Sequence, residues 1–476
     1  MRLSPLILLS LATAVPASGQ QQQAGDPRPR SPINIPYERY TLPNGLTVIL
    51  SVNRATPTVT VDVWYHVGSK NEVAGRSGFA HLFEHVMFTG SGHVPYGLHD
   101  RMTEGVGGNN NGSTSHDRTN YFQNIPSNYL ETLLWIEADR MGFLLDALDS
   151  AKFVAQRDIV QNERRQGVDN QPYGRAHEIM LATMFPAGHP YSWDVIGSMN
   201  DLLVAPLEDV KSFFRQYYAP NNATLAIVGD FDPAQAKQLV ARYFADIPRG
   251  KRIERPKVPQ VTLGAERRLL YEDRVQVPRL YVRWPAVGLK HDDRFALQVL
   301  GSILAGPRTA RLTKALVYDR QSAAFVSAGL TPNEDVGFFS VTVTPRPGHT
   351  LASIEATVDS LIERFKAEGP SADELKRATA GAEYNFVSFL ESNFGRAETV
   401  LQGSVFFDDP GYFRRALAKI QAVTATDVKR VANTYLSPGR VVLSVVPTGK
   451  PELGSKPEAS TKVSSLTTTS QSTEAK

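Results

Sequence analysis

The 476-residue sequence contains no cysteine. That absence removes disulfide bridges, thiolate zinc sites and a cysteine nucleophile together, so any metal must be held by His, Asp or Glu. Charge of one sign is also lacking, with 51 Lys and Arg against 48 Asp and Glu. The resulting net charge of +3 is too small to mark nucleic acid as a main partner. Long apolar runs are missing as well. The stretch from Leu6 to Val15 is too short to cross a bilayer, and no later segment could do so.

With 42% apolar residues, the chain can fill globular cores and is long enough for at least two domains. Its first residues carry Arg2, an apolar run and small residues at Ala17 and Gly19, the pattern of a signal peptide over residues 1–19. Export without cysteine points to a bacterial periplasm, with no transmembrane segment in the mature chain. Residues 20–32 are polar and proline-rich and read as a flexible lead-in. Residues 450–476 hold few large apolar side chains and are expected to be a disordered tail.

The folded part between them contains an internal repeat. The segment starting DVKSFFRQYYAP at Asp209 aligns without a gap to DVKRVANTYLSP at Asp427, pairing Tyr217 with Tyr435, Pro220 with Pro438, Leu225 with Leu443 and Val228 with Val446. Each copy predicts helix, proline turn and apolar strand. VDVWYHVGS also echoes LYVRWPAVGL, which precedes a helix expected near Asp292. The reading is a duplicated pair of domains, residues 33–249 and 267–449, joined by a charged, proline-containing linker over residues 250–266. Asn44-Gly45 predicts a hairpin turn, and Asp232-Pro233 an N-cap followed by a first-turn proline. Helices are expected from about Gly78, Ser127 and Ala151. Strands arrive in meanders and helices in longer runs, which predicts an α+β fold of two mostly antiparallel sheets packed with helices.

Within GFAHLFEHVMFTG, from Gly78 to Gly90, His81 and His85 lie four residues apart and so share one helix face. Both imidazoles can meet one ion, and Glu84 lies beside that face, able to hydrogen-bond a water held by the metal without being a ligand. The plainer reading is an apolar helix that carries polar residues by chance. Two imidazoles and a carboxylate buried without a partner would be costly, which favours the metal. A third ligand must come from elsewhere. Glu163 falls one turn beyond Ile159 in a helix whose face of Phe153, Val154, Ile159 and Val160 is expected to pack inward. On the residues alone, the favoured reading is a solvated carboxylate paired with Arg164 or Arg165.

HLFEH, followed at a distance by IVQNERRQ and combined with GGNNNGSTSHDRTNYFQNIP, closely resembles the inverted-motif zinc peptidases, the family of pitrilysin, insulin-degrading enzyme and mitochondrial processing peptidase. The resemblance spans essentially the whole folded region. It implies a zinc-dependent endopeptidase holding one Zn2+ per chain on His81, His85 and Glu163, with Glu84 as general base. It also implies a clam-shaped dimer and an edge strand to which extended peptides add, where the family's Asn-small pair matches Asn111-Gly112. By composition alone, the Asn-rich stretch is a flexible linker. His93 and His116 read as surface or loop residues.

Two departures stand out. Gln156 occupies the place of a second glutamate common in the family, seven positions before Glu163. In the second half, Val317 and Ala324 fall where many complete members carry an arginine and a tyrosine, and Tyr318 and Arg320 have the wrong order and spacing. FALQVLGSILAGP stands in place of the histidine motif without a ligand residue. The resemblance then implies the zinc subunit of a heterodimer whose homologous partner supplies the arginine-tyrosine pair, or otherwise a homodimer. The competing expectation is a non-catalytic structural subunit of the same fold.

Overall fold

A computed structural model describes residues 33–463 of the chain. The expected signal peptide over residues 1–19, the expected lead-in over residues 20–32 and residues 464–476 of the expected tail lie outside the described residues. The first half holds strands β1 (Glu38–Thr41), β2 (Thr47–Val52), β3 (Thr58–Tyr65), β4 (Asn109–Thr114), β5 (Thr119–Pro126) and β6 (Ala223–Gly229). Its helices are α1 (Phe79–Val86), α2 (Leu98–Glu104), α3 (Leu130–Ala147), α4 (Ser150–Arg164), α5 (Ala176–Met184), α6 (Met199–Val204), α7 (Leu207–Tyr217) and α8 (Pro233–Phe244). The second half holds β7 (Arg267–Asp273), β8 (Arg279–Val287), β9 (Ala323–Pro332), β10 (Val336–Pro345), β11 (Val441–Pro447) and β12 (Thr461–Val463). Its helices are α9 (Asp293–Leu304), α10 (Leu351–Glu368), α11 (Ala372–Phe389), α12 (Asn393–Phe407), α13 (Tyr412–Gln421) and α14 (Ala425–Tyr435).

The strands form two six-stranded sheets of matching order, β1-β2-β6-β3-β5-β4 and β12-β7-β11-β8-β10-β9. Most neighbours are antiparallel; β2 runs parallel to β6, and β7 runs parallel to both β11 and β12. The mostly antiparallel α+β reading therefore stands. The repeat seen at Asp209 and Asp427 becomes α7 with β6 in one half and α14 with β11 in the other. Asn44-Gly45 joins β1 to β2, Gly45 taking a φ of 95°. The Asp232 carboxylate caps α8 by accepting from the Gln235 amide at 2.8 Å.

Each half lends the other a helix. Ala176, Ile179, Met180 and Met184 lie at helical spacing along α5 and pack against Phe338, Val441, Leu443 and Val445 of the second sheet. In return, α12 lies on the first sheet, where its Glu398 accepts from Trp64 Nε1 at 2.9 Å and Phe394 meets Phe122 with ring centroids 4.3 Å apart. Helices of the same half cover the other face of each sheet. Covered on both faces, β6 and β11 are buried at all seven positions, which explains their nearly continuous apolar character, interrupted at Thr224 and Ser444.

Two sequence expectations are corrected here. Residues 450–463 are ordered rather than disordered: short helical turns at Pro451–Leu453 and Pro457–Ala459 lead into β12, which pairs with β7. Backbone pairing along an available sheet edge needs few large side chains, so composition understated its order. The inward face assigned to α4 is also different. Phe153, Gln156, Val160, Gln161 and Arg164 are buried, whereas Val154 and Ile159 are exposed. Among the described residues no helix is long and apolar enough to cross a membrane.

Candidate metal centre

Helix α1 begins at Gly78, whose φ of 89° suits glycine and whose close approach to Ile196 and Gly197 leaves no room for a Cβ. No side chain of its own caps this helix. Glu72 does so from outside: its carboxylate accepts from the Gly78 amide at 3.0 Å, the Ala80 amide at 2.8 Å and Trp193 Nε1 at 3.0 Å. Burial pushes the Glu72 carboxyl up to about 8, against three N–H groups that favour its ionised form. Phe79, Leu82, Phe83 and Val86 bury one face of α1 in the first core. His81, Glu84 and His85 are left half-buried on the other side.

Helix α4 packs on α1 and brings the third donor. His85 Nε2 lies 3.3 Å from His81 Nε2, and Glu163 Oε2 lies 3.2 Å from the first and 3.7 Å from the second. Arg164 turns instead to Glu178, and Arg165 to Asn162 and Gln161, so neither takes up the Glu163 carboxylate. A tetrahedral zinc with bonds of about 2.0–2.1 Å to N and O separates its ligand atoms by roughly 3.3 Å. The three donors fit that spacing. Both imidazoles are also held in the neutral, ligating form: burial and the neighbouring His85 push His81 down to about 4, and burial lowers His85 against the opposing Glu163 charge. The buried His81 Nδ1 has no hydrogen-bond partner among the described residues.

Glu84 projects beside this cluster and meets the edge of the first sheet. Thr114 donates its hydroxyl to Glu84 Oε2 at 2.6 Å, and a Cβ built on Gly112 would lie 3.0 Å from Glu84 Cγ. Burial raises the Glu84 carboxyl, opposed by the Thr114 hydrogen bond and by Arg118. Asn111 is exposed on the same strand and uses its side-chain oxygen to accept from the Gly112 amide at 2.8 Å. The Asn-rich stretch is thus the edge strand β4, not a linker. Glu72 and Thr114 carry no recognisable spacing relative to the histidines, and only the fold shows their part.

Residues 47–190 match the family described as Insulinase (Peptidase family M16), and residues 205–381 match the one described as Peptidase M16 inactive domain. The chain belongs to peptidase family M16. A relative from Helicobacter pylori named Zinc protease PqqE is 29% identical over 84% of this chain and 90% of its own length. The beta subunit of mitochondrial-processing peptidase from Lentinula edodes is 24% identical over 83% of this chain and 86% of its own length. A crystal structure of a protease from Helicobacter pylori superposes with a TM-score of 0.81 at 28% identity, covering 87% of this chain and all of that one. The M16 peptidase inactive domain from Pseudomonas fluorescens, 19% identical, shares the fold with a TM-score of 0.78.

The second half of this M16 chain repeats the scaffold without the donors. Helix α9 packs on α11 as α1 packs on α4, yet it carries no His, and Gly381 stands 218 positions beyond Glu163, the spacing that separates the paired repeat residues. His93 is largely exposed and bonds Asp139, as expected of a loop residue. His116 differs from its expected surface position: it is buried in the β4–β5 turn and bonds the Trp193 carbonyl, because that turn is pressed against the second half. Gln156 is buried on α4.

Proposed function

We propose that this M16 chain is a zinc-dependent endopeptidase acting on extended peptides or unfolded polypeptides. The observation that carries the reading is the convergence of His81, His85 and Glu163 beside a carboxylate, Glu84, that adjoins an open sheet edge. Relatives named zinc proteases support it. Bound zinc supplies a polarised water and a Lewis acid for the peptide carbonyl. Glu84, beside the three donors, is the group that would take a proton from such a water and return it to the leaving amine, and the burial that raises its carboxyl makes it the stronger base for the first of these. The β4 edge presents backbone groups to an extended chain, with Asn111 and Gly112 at its centre, which demands little of the substrate's sequence.

The same reading makes the chain the zinc subunit of a heterodimer in an exported, periplasmic location. Val317 and Ala324 offer no polar side chain at the expected arginine-tyrosine positions. Their neighbours are engaged locally, Tyr318 lying under the Arg308 guanidinium and Arg320 donating to Thr357 at 2.9 Å. The test is hydrolysis of a quenched-fluorescent unstructured peptide by the zinc-loaded chain, alone and with a chelator. Chelator-sensitive cleavage at full rate by the chain alone supports the peptidase and removes the need for a partner. A zinc-bound but silent chain leaves the partner as the missing component, and a chain that binds no zinc overturns the reading.

A further inference from the structure

On the α12 side of the first sheet, a cleft of about 700 Å3 opens between the edge strand β4 and the start of α12. Side chains alternate across β4. Gly112 and Thr114 face Glu84, whereas Asn109 and Asn111 share the opposite face with Phe122 and Asn124 of β5, with which they pair. The two faces of one edge strand therefore border the metal centre and the cleft.

Backbone pairing sets how a polypeptide would lie between them. The Ser115 amide donates to the Arg118 carbonyl at the hairpin turn, and in the observed register Asn109, Asn111 and Ser113 direct their backbone groups toward β5. Asn110, Gly112 and Thr114 direct theirs to the open edge. A strand added there sends every second side chain toward the metal and the others toward the cleft.

The cleft has a definite chemistry. Thr60 donates to Asn124 Oδ1 at 2.5 Å, Asn124 Nδ2 donates to Asn109 Oδ1 at 2.9 Å, and Asn53 Nδ2 donates to Asn393 Oδ1 at 2.7 Å. These bonds hold hydroxyls and amides in fixed orientations, while the paired rings of Phe122 and Phe394 offer apolar contact for methylene groups. Among the described residues lining the cleft, Glu391 carries the one charge, and it is exposed. We propose that this cleft receives the substrate side chains that point away from the metal and selects uncharged hydrogen-bonding ones, such as glutamine, over acidic ones. The proposal rests on the reading of β4 as a peptide-binding edge.

The test uses the full zinc-loaded chain carrying Glu84→Gln, so that binding is read without turnover. A fluorescent unstructured peptide is scanned with single Gln→Glu changes at successive positions, and Kd is measured by anisotropy at low salt. Glutamate is expected to weaken binding about 1.5- to fivefold at alternate positions, the scale of exposed charge pairs. Adding Glu391→Lys should erase or reverse that penalty at the same positions and no others. If the parent peptide binds but the penalties lack a period of two, or ignore Glu391→Lys, the cleft assignment is overturned while the peptidase reading stands. If the parent peptide does not bind a chain that holds zinc, the peptide-binding reading itself falls, and the cleft assignment with it.

Discussion

Thr114, on the open edge of the first sheet, donates its hydroxyl to Glu84 on the histidine helix at 2.6 Å. The strand that would carry a peptide is thereby tied directly to the carboxylate proposed to act on it. The positions of both follow from α1 and β4 lying against one another, not from their neighbours in the chain.

Replacing Glu84 by glutamine keeps the size of the side chain and the three donors of the metal centre. Zinc content should stay at one per chain while kcat falls by about 10²–10⁴, the range for loss of a general base. Metal analysis and peptide hydrolysis on the same sample check this. Undiminished turnover would remove Glu84 from the mechanism.

Gly112→Val brings a branched side chain toward Glu84 Cγ, Phe88 and the Asn120 carbonyl, all within 3.2 Å of the Cβ it would introduce. Since an edge strand can shift slightly to accommodate it, the fold should persist. The carboxylate is displaced, and a misplacement of about 1 Å lowers activity on the order of 100-fold. Equal losses of thermal stability and activity would point to misfolding instead.

Glu72→Ala removes the acceptor for the Gly78 and Ala80 amides at the start of α1, while Trp193 Nε1 keeps the Ser69 carbonyl at 3.1 Å. Each buried donor left without a partner costs about 1–3 kcal/mol. A lower Tm and a roughly 10–100-fold weaker zinc affinity are expected, because Glu72 holds the helix that presents both imidazoles. Zinc titration with unchanged affinity would limit Glu72 to a role in stability.

Where the halves meet, the buried Lys70 ammonium lies 2.6 Å from Glu334, 2.8 Å from Asp335 and 3.1 Å from Asp117. Burial alone would raise the Glu334 carboxyl, but hydrogen bonds from His66 and Lys70 and the Lys70 charge hold it well below the usual carboxylate range. A depressed folded pKa contributes stability above the ordinary value of 4.5, lost as pH falls below it. Lys70→Met should cost about 3–5 kcal/mol at neutral pH by taking the buried ammonium from Asp117 and Asp335 and leaving Glu334 with Lys290 at 2.9 Å as its one ammonium partner. Thermal melts of that variant should improve as pH drops toward 4.5, while the parent chain holds steady or declines. Parallel pH profiles for the two would exclude this network as a source of acid sensitivity.

The local sequence already carried much of this protein. The four-residue spacing of His81 and His85 placed both imidazoles on one helix face, the gapless match between Asp209 and Asp427 disclosed the duplication, and Asn44-Gly45 and Asp232-Pro233 marked a turn and a cap. These features depend on contacts within a few residues, which periodicity and turn chemistry report directly. Tertiary structure decided the rest. Glu163 meets His81 and His85 only because α4 packs on α1, across a gap of 78 positions from His85, and Glu72, Thr114 and Lys70 gain their contacts the same way. The exchange of α5 and α12 between halves and the docking of β12 are likewise invisible to local pattern. An amphipathic face states that it will be covered, and an unpaired strand edge that it can be extended, but neither names the distant segment that does so.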